Sequence, residues 1–273
     1  MSVLIMIASA SAIIVLVRYG LLKGIDHVSG ALNLSAKARG QITGYATSVP
    51  ELVCLVSAGI AGVWEAGLWN IASSNIINAC LMLAAIVYSR QFRDLMNRRF
   101  ADELIFASIA IIVPIILMVF SLDTHWSLVP LLLGLFAVYQ IVDKQVNRLG
   151  PDDANSDMDE PRGSLPLGLL LGVAALIAIS VAGAFLGDAT AKVIDQTQIR
   201  PSIAGWILGF VTSVPEMVTF FSVYANARNK GTEAELDDTQ EALDNLSGSN
   251  MANVGIVYPF GLLAFLIATE FLS

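Results

Sequence analysis

The sequence predicts an all-α polytopic membrane protein of about eight transmembrane helices, arranged as two inverted-topology repeats. Three observations predict it. Of 273 residues, 56% are hydrophobic and only 14% charged, against about 25% charged in an ordinary soluble domain. The apolar residues gather in segments near the roughly 20 residues that a membrane helix needs. A ten-residue motif near residue 44 returns near residue 209.

The apolar segments place spans near 2–22, 38–63, 66–89, 103–122, 127–144, 165–187, 202–226 and 246–271. The fourth and fifth are separated by a short connection at Asp123 and His125. Pro114, Pro130 and the combined length argue for two helices rather than one. The apolar N-terminal stretch lacks a positive region before it and a small-residue cleavage site after it, so it is expected to be a mature span rather than a signal peptide. Thirteen of the 15 Lys and Arg residues fall after spans 1, 3, 5 and 7, among them Arg18, Lys23, Lys37, Arg39, Arg90, Arg148 and Arg228; only Lys192 and Arg200 fall on the other side. Basic loops stay cytoplasmic, so both termini are expected outside, with the plasma (inner) membrane as the location.

The formal charge of −8 does not imply a soluble acidic protein, because many acids sit in two polar stretches, Asp152–Glu160 and Glu233–Asp244. Asp153, Asn155, Asp157 and Asp159 alternate as in a calcium loop. Met158 and Ser164 stand where an EF-hand needs Gly and Glu, so a solvated linker is the expectation. Thr232–Asp244 reads as a short amphipathic helix of unreadable function. The organisation is thus a first membrane repeat over 1–145, an acidic cytoplasmic linker over 146–164 and a second repeat over 165–273.

The repeat carries the chemistry. Gly44-Tyr-Ala-Thr-Ser-Val-Pro-Glu-Leu-Val53 matches Gly209-Phe-Val-Thr-Ser-Val-Pro-Glu-Met-Val218, with the run TSVPE shared. In the following span, Ser73-Ser-Asn-Ile-Ile-Asn78 matches Gly248-Ser-Asn-Met-Ala-Asn253. The two copies of TSVPE lie in spans 2 and 7, an odd five positions apart, so they enter the membrane from opposite sides, an arrangement that places a transporter site at the midplane. The second copy has ten more residues between its Glu and its last Asn, assigned to the acidic loop between spans 7 and 8.

Pro50 and Pro215 remove a helix hydrogen bond and free carbonyls near Ala46–Thr47 and Val211–Thr212. Freed carbonyls inside a membrane must find partners. The neighbouring Glu51 and Glu216 are ionisable groups inside a span, which are costly and by default functional. Carboxylates, carbonyls and Ser, Thr and Asn oxygens form a hard, all-oxygen set that suits Ca²⁺. His27 and His125 are placed in loops, and Cys54 and Cys80 lack metal-ligand spacing, which excludes a zinc or copper site. Taken singly, the prolines read as kinks and Asn75 and Asn250 as bonds between helices; the matched duplication outweighs those readings. An intramembrane enzyme would want a nucleophile–base pair, and no His or Lys lies centrally in a span. A non-transporting scaffold has little use for two mid-membrane glutamates.

With these motifs the chain resembles the cation/calcium antiporter superfamily, and its sodium/calcium exchanger branch in particular, whose two repeats carry a G-T-S-x-P-E-like stretch followed by G-S-N-x-x-(N/D). The resemblance implies an exchanger-like fold lacking the last two of the family's usual ten spans. It implies a secondary active antiporter, not an enzyme, that exchanges Na⁺ for Ca²⁺; H⁺-coupled exchange of Ca²⁺ or another cation is the alternative. Ca²⁺ is expected at the carboxylates of Glu51 and Glu216 and the carbonyls of Thr47 and Thr212. Na⁺ is expected at Ser48, Ser74, Asn78, Ser213, Ser249 and Asn253. Alternating access is expected from sliding of spans 1 and 6. No cofactor or nucleic acid is implied; the partners are the transported ions and the lipid bilayer, with a homo-oligomer left open. Three positions depart from the pattern: Ala46 and Val211 replace the usual Gly, and Asn253 stands where some members carry Asp.

Overall fold

The structure is a computed structural model that describes residues 2–146, 163–229 and 236–271. The calcium-loop-like alternation at 153–159 lies outside these residues. The described residues are helical, with no strand among them.

In chain order the helices are α1 (Ser2–Leu16), α2 (Leu22–Leu32), α3 (Ala36–Thr47), α4 (Val49–Ile60), α5 (Trp64–Tyr88) and α6 (Ala101–Val119). They continue with α7 (Leu128–Val146), α8 (Leu165–Thr197), α9 (Pro201–Thr212), α10 (Val214–Asn229), α11 (Leu236–Ala252) and α12 (Tyr258–Phe271). A π turn over Val17–Leu21 joins α1 to α2, and another over Asn253–Val257 joins α11 to α12. Among the described residues, seven stretches are long and apolar enough to cross a membrane: Ser2–Leu32, Trp64–Tyr88, Arg98–Val119, Leu128–Gln145, Leu165–Thr197, Pro201–Ala225 and Leu236–Glu270. The expected span over 38–63 is instead two helices, α3 and α4, of 12 residues each. Its polar first half, with Lys37, Arg39, Gln41 and Thr43, keeps it out of the apolar set.

Several boundaries differ from expectation. The first span runs on to Leu32, so Arg18, Lys23 and His27 are helical rather than in a loop. The sixth runs to Thr197 and carries a Lys192–Asp188 pair at 2.6 Å. At 31 and 33 residues, both stretches exceed a hydrocarbon core of about 30 Å, since 1.5 Å per residue gives roughly 45–50 Å. The expected loop helix at 232–244 is the first half of α11, where Thr239, Gln240, Leu243 and Asp244 are buried. Its acids suggest a solvated segment by composition, but Asp244 is buried against Lys37 and Glu241 is half-buried against Arg39, while Asp237 stays exposed. Of the ten extra residues of the second repeat, four lengthen α10 and three extend α11, and the other three fall outside the described residues.

A turn over 120–127 separates α6 from α7, and both Trp64 Nε1 and Tyr258 OH reach Asp123 there, at 3.2 and 3.1 Å. The apolar interior has three parts: α5, α6, α7 and α12 around Tyr139 and Tyr258; α1, α8 and α4 around Ile13 and Ile179; and the ends of α5, α6, α10 and α11 around Phe100 and Phe220. Leu4, Leu131 and Ile177 are among the large apolar side chains left outside, as helices facing lipid require.

Packing around the breaks is reciprocal. The segment before the first break, α3, lies on α11, and the segment before the second, α9, lies on α5. Small residues make this possible. A Cβ at Gly44 would fall 2.6 Å from the Asn245 carbonyl and 2.8 Å from Ser249 N; one at Gly209 would fall 2.9 Å from Ser74 N and 3.1 Å from the Asn70 carbonyl. Gly40 and Gly205, one turn earlier, face the Glu241 and Ala66 carbonyls as tightly. Each helix thus uses a G-x-x-x-G face to bring backbones together.

Candidate cation site

Both breaks have the same local cause. Ser48 (φ −81°, ψ −2°) ends α3 and Ser213 (φ −81°, ψ −1°) ends α9. Pro50 and Pro215 follow two residues later, where a missing N–H falls at the start of a new helix and costs little. The new helices open with Leu52 N–H to Ser48 O and Met217 N–H to Ser213 O. Glu51 and Glu216 fall in the first turns of α4 and α10, where the positive helix end favours a carboxylate.

The ten residues expected at the site, Glu51, Glu216, Thr47, Thr212, Ser48, Ser213, Ser74, Ser249, Asn78 and Asn253, are all at most 2% exposed. The structure brings them together. The hydroxyls of Ser48 and Ser249 lie 3.1 Å apart, and Ser249 Oγ donates to Glu216 Oε1 at 3.0 Å. The Thr212 side chain lies beside the Glu51 carboxyl group and Thr47 beside that of Glu216. Thr212 Oγ1 donates to Asn70 Oδ1 at 3.1 Å. Ser213 Oγ only reaches Ser74 O, at 3.5 Å.

The asparagines knit α5 to α11. Asn253 Nδ2 donates to Asn75 Oδ1 at 2.9 Å and to Ser74 Oγ at 3.4 Å, Asn78 Nδ2 to Asn250 Oδ1 at 3.1 Å, and Asn250 Nδ2 to Asn75 O at 3.1 Å. Asn75 also donates to Ala110 O at 2.8 Å, so Asn75 and Asn250 bond between helices.

Sequence reasoning missed Asn70, Asn245 and Thr219. Asn245 donates to Thr219 Oγ1, and both asparagines are buried beside the expected residues. A signal was present: Asn70-x₃-Ser74-x₃-Asn78 and Asn245-x₃-Ser249-x₃-Asn253 repeat at a four-residue spacing, which holds three polar groups on one helix face. A cavity of about 280 Å³ is lined by Arg18, Tyr19, Asp26, Arg39, Thr43 and Thr219 among others. Thr219 is three residues beyond Glu216.

The decisive chemistry is what these groups leave unpaired. Glu51 Oε1 and Oε2, Glu216 Oε2, and the Oδ1 atoms of Asn78, Asn245 and Asn253 are buried with no hydrogen-bond partner. Each of these is an acceptor, and one donor, Asn70 Nδ2, is buried unpaired beside them. Buried acceptors without donors are costly, and a cation satisfies several at once.

The family model described as "Sodium/calcium exchanger protein" matches residues 1–142 and 167–271. The chain belongs to the sodium/calcium exchanger protein family. This family is one of transporters, which fits a non-enzymatic role. The fold is also similar to solved structures of the sodium-calcium exchanger NCX_Mj. Soaked with 2.5 mM Na⁺ and 1 mM Sr²⁺, that protein matches with a TM-score of 0.57 and 22% identity, over 96% of this chain and 82% of its own. Soaked with 10 mM Na⁺ and zero Ca²⁺ it gives 0.55 and 24%, over 97% and 84%. With zero Na⁺ and Ca²⁺ it gives 0.52 and 20%, over 98% and 88%. Comparison with curated proteins gives no match. The exchanger family and the apolar helices make this an integral membrane protein of the cation/calcium antiporter kind.

Proposed function

We propose that this exchanger-family chain moves Ca²⁺ across the membrane in exchange for Na⁺, by alternating access at a midplane site built around Glu51 and Glu216. The observation that carries the reading is the set of buried, unpartnered acceptors, three of them carboxylate oxygens. Two carboxylates balance one Ca²⁺, or two Na⁺, but not both loads together. Exclusion of one ion by the other is what couples them.

In this reading Ca²⁺ takes the carboxylates of Glu51 and Glu216 and the carbonyls of Thr47 and Thr212, at the negative C-terminal ends of α3 and α9. Na⁺ takes positions among Ser48, Ser74, Asn78, Ser213, Ser249 and Asn253. The two breaks belong to inverted repeats covering 1–145 and 165–273, joined by the linker 146–164. The basic loops face the cytoplasm, both termini lie outside, and the membrane is the plasma (inner) membrane. The pair α1 and α8 slides on the rest. Support comes from smooth contacts with the rest, where Gly183 and Gly187 of α8 meet the β-carbons of Val53 and Ser57 on α4; within the pair, Gly20 meets Ala175.

The test is ⁴⁵Ca²⁺ uptake into proteoliposomes loaded with Na⁺, repeated with a pH gradient alone. Uptake driven by Na⁺ is expected. Uptake driven only by the pH gradient would replace Na⁺ by H⁺ as the coupling ion, and no uptake under either gradient would reject Ca²⁺ as the cargo.

A further inference from the structure

Along α11 and into the π turn that follows it, an oxygen-bearing side chain recurs at every fourth residue: Glu241, Asn245, Ser249 and Asn253. Four residues are about 6 Å along a helix and keep side chains on one face. Glu241 lines the cavity of about 280 Å³ together with Thr43 and Thr219. Ser249, two steps further, donates to Glu216 Oε1 at 3.0 Å. Asn245 stands between them and is 2% exposed.

Thr219 fixes which way the Asn245 amide points. Its Oγ1 donates to Glu216 O at 2.8 Å and accepts from Asn245 Nδ2. Asn245 Oδ1 is thereby turned away from Thr219, buried and without a hydrogen-bond partner. A Cβ at Gly44 would meet that oxygen at 3.2 Å and Ser249 N at 2.8 Å. Less than the width of a methyl group therefore separates the unpaired oxygen from the residue that holds Glu216.

The first repeat lacks this arrangement. Its row on α5 is Ala66, Asn70, Ser74 and Asn78, with alanine in the place of Glu241. Asn70 Oδ1 is taken by Thr212 Oγ1 at 3.1 Å, and the atom left unpaired is the donor Nδ2. Cys54, three residues after Glu51, stands where the second repeat has Thr219. A free N–H donor repels a cation and a free carbonyl oxygen attracts one. Of the two equivalent asparagines, Asn245 is the one that offers a cation an oxygen.

We propose that Asn245 is a further sodium ligand, whose Oδ1 receives Na⁺ on the cavity side of Glu216 before the ion reaches the carboxylate. The inference rests on the exchange proposed above. Charge selects Na⁺. Asn245, Thr43 and Thr219 offer neutral oxygens, whereas affinity for Ca²⁺ is set by the number of charged ligands. Glu241, at the cavity end of the row, is already paired with Arg39 at 3.3 Å. Ca²⁺ thus depends on Glu51 and Glu216, and Na⁺ gains more from Asn245.

The test is binding of ²²Na⁺ and of ⁴⁵Ca²⁺ to the purified full chain in detergent, read by scintillation proximity. Failure of Na⁺-driven Ca²⁺ uptake would reject the exchange itself; binding decides the role of Asn245 separately. Asn245→Ala should weaken Na⁺ binding about tenfold, the scale of losing one polar contact to a charged group. Its Ca²⁺ binding should change less than about threefold. Asn245→Asp keeps an oxygen in place but has no donor for Thr219, and should bind Na⁺ at least as tightly as the unaltered chain. It also serves if Asn245→Ala does not elute as folded protein in gel filtration. A residue that only braces Thr219 gives the opposite result, with Asn245→Asp as weak as Asn245→Ala. Absence of ²²Na⁺ binding in the unaltered chain, unchanged Na⁺ binding or an equal loss of both ions in Asn245→Ala, or weakened Na⁺ binding in Asn245→Asp would each overturn the proposal.

Discussion

Glu51 and Glu216 hold equivalent places, one turn into a helix that begins after a serine break and a proline, yet their surroundings differ. Glu216 accepts a hydrogen bond from Ser249, four residues before Asn253. The equivalent Ser74, four residues before Asn78, turns its hydroxyl to Ile71 O at 3.1 Å instead. Both Glu51 oxygens are therefore unpartnered, against one in Glu216. Near-identical sequence motifs have produced one carboxylate tied to a neighbouring serine and one with both oxygens unpartnered. The lesson is that a sequence repeat predicts which residues share a site but not how the burden is divided between them.

The largest consequence falls on the carboxylates. Glu51→Gln removes a charge and places an amide donor beside a carboxylate position whose two oxygens lack hydrogen-bond donors, and should lower Na⁺-driven Ca²⁺ uptake about 100-fold or more, the scale of breaking a buried charge interaction. Glu216→Gln keeps an oxygen for Ser249 and should lower it about tenfold. A reversed order would break the comparison.

Ser249→Ala strips Glu216 Oε1 of its donor, so the apparent Ca²⁺ affinity should change about tenfold. Ser74→Ala should change it about threefold or less, because Ser74 satisfies its own helix backbone. Competition of Ca²⁺ against Na⁺ in the same vesicles measures both.

Packing is compared by Gly44→Ala and Gly209→Ala. The nearest obstacle to a Cβ at Gly44 is the Asn245 backbone carbonyl, whereas at Gly209 it is the Ser73 hydroxyl, which can rotate away. Each should cost about 1–3 kcal/mol, with Gly44→Ala showing the greater loss of thermal stability in detergent. The smallest effect belongs to Ser213→Ala, whose hydroxyl makes only a 3.5 Å contact; uptake should change less than that of Ser48→Ala, since Ser48 Oγ contacts Gly44 O, Ser249 O and Ser249 Oγ at 3.0–3.2 Å.

Much of this was legible in the sequence because lipid makes sequence informative. An apolar run is a helix, and a Glu inside one needs a reason. The ten ligating candidates were readable because they stand in two copies at matched spacing. Asn70 and Asn245 were not recognised because each sits one turn outside the copied block, though the same four-residue spacing reaches them. The G-x-x-x-G faces at Gly40–Gly44 and Gly205–Gly209 escaped because polar neighbours hide them in α3. The acids of 236–244 misled for a different reason. Composition suggests that Asp244 is solvated, and only tertiary structure brings Lys37 from 207 residues away to meet it. Helix ends at Leu32 and Thr197 were missed because a bilayer-length rule ends a span where the membrane ends, and those helices continue.

The central claim is that one cavity, with Glu51 at its heart, carries the cation whatever the coupling ion proves to be. Exchange of ⁴⁵Ca²⁺ for unlabelled Ca²⁺ at equal concentrations across proteoliposomes tests it without any driving gradient. The account predicts exchange in the unaltered protein, and exchange at background in Glu51→Gln that reconstitutes as a folded, monodisperse protein. Undiminished exchange in Glu51→Gln would contradict it.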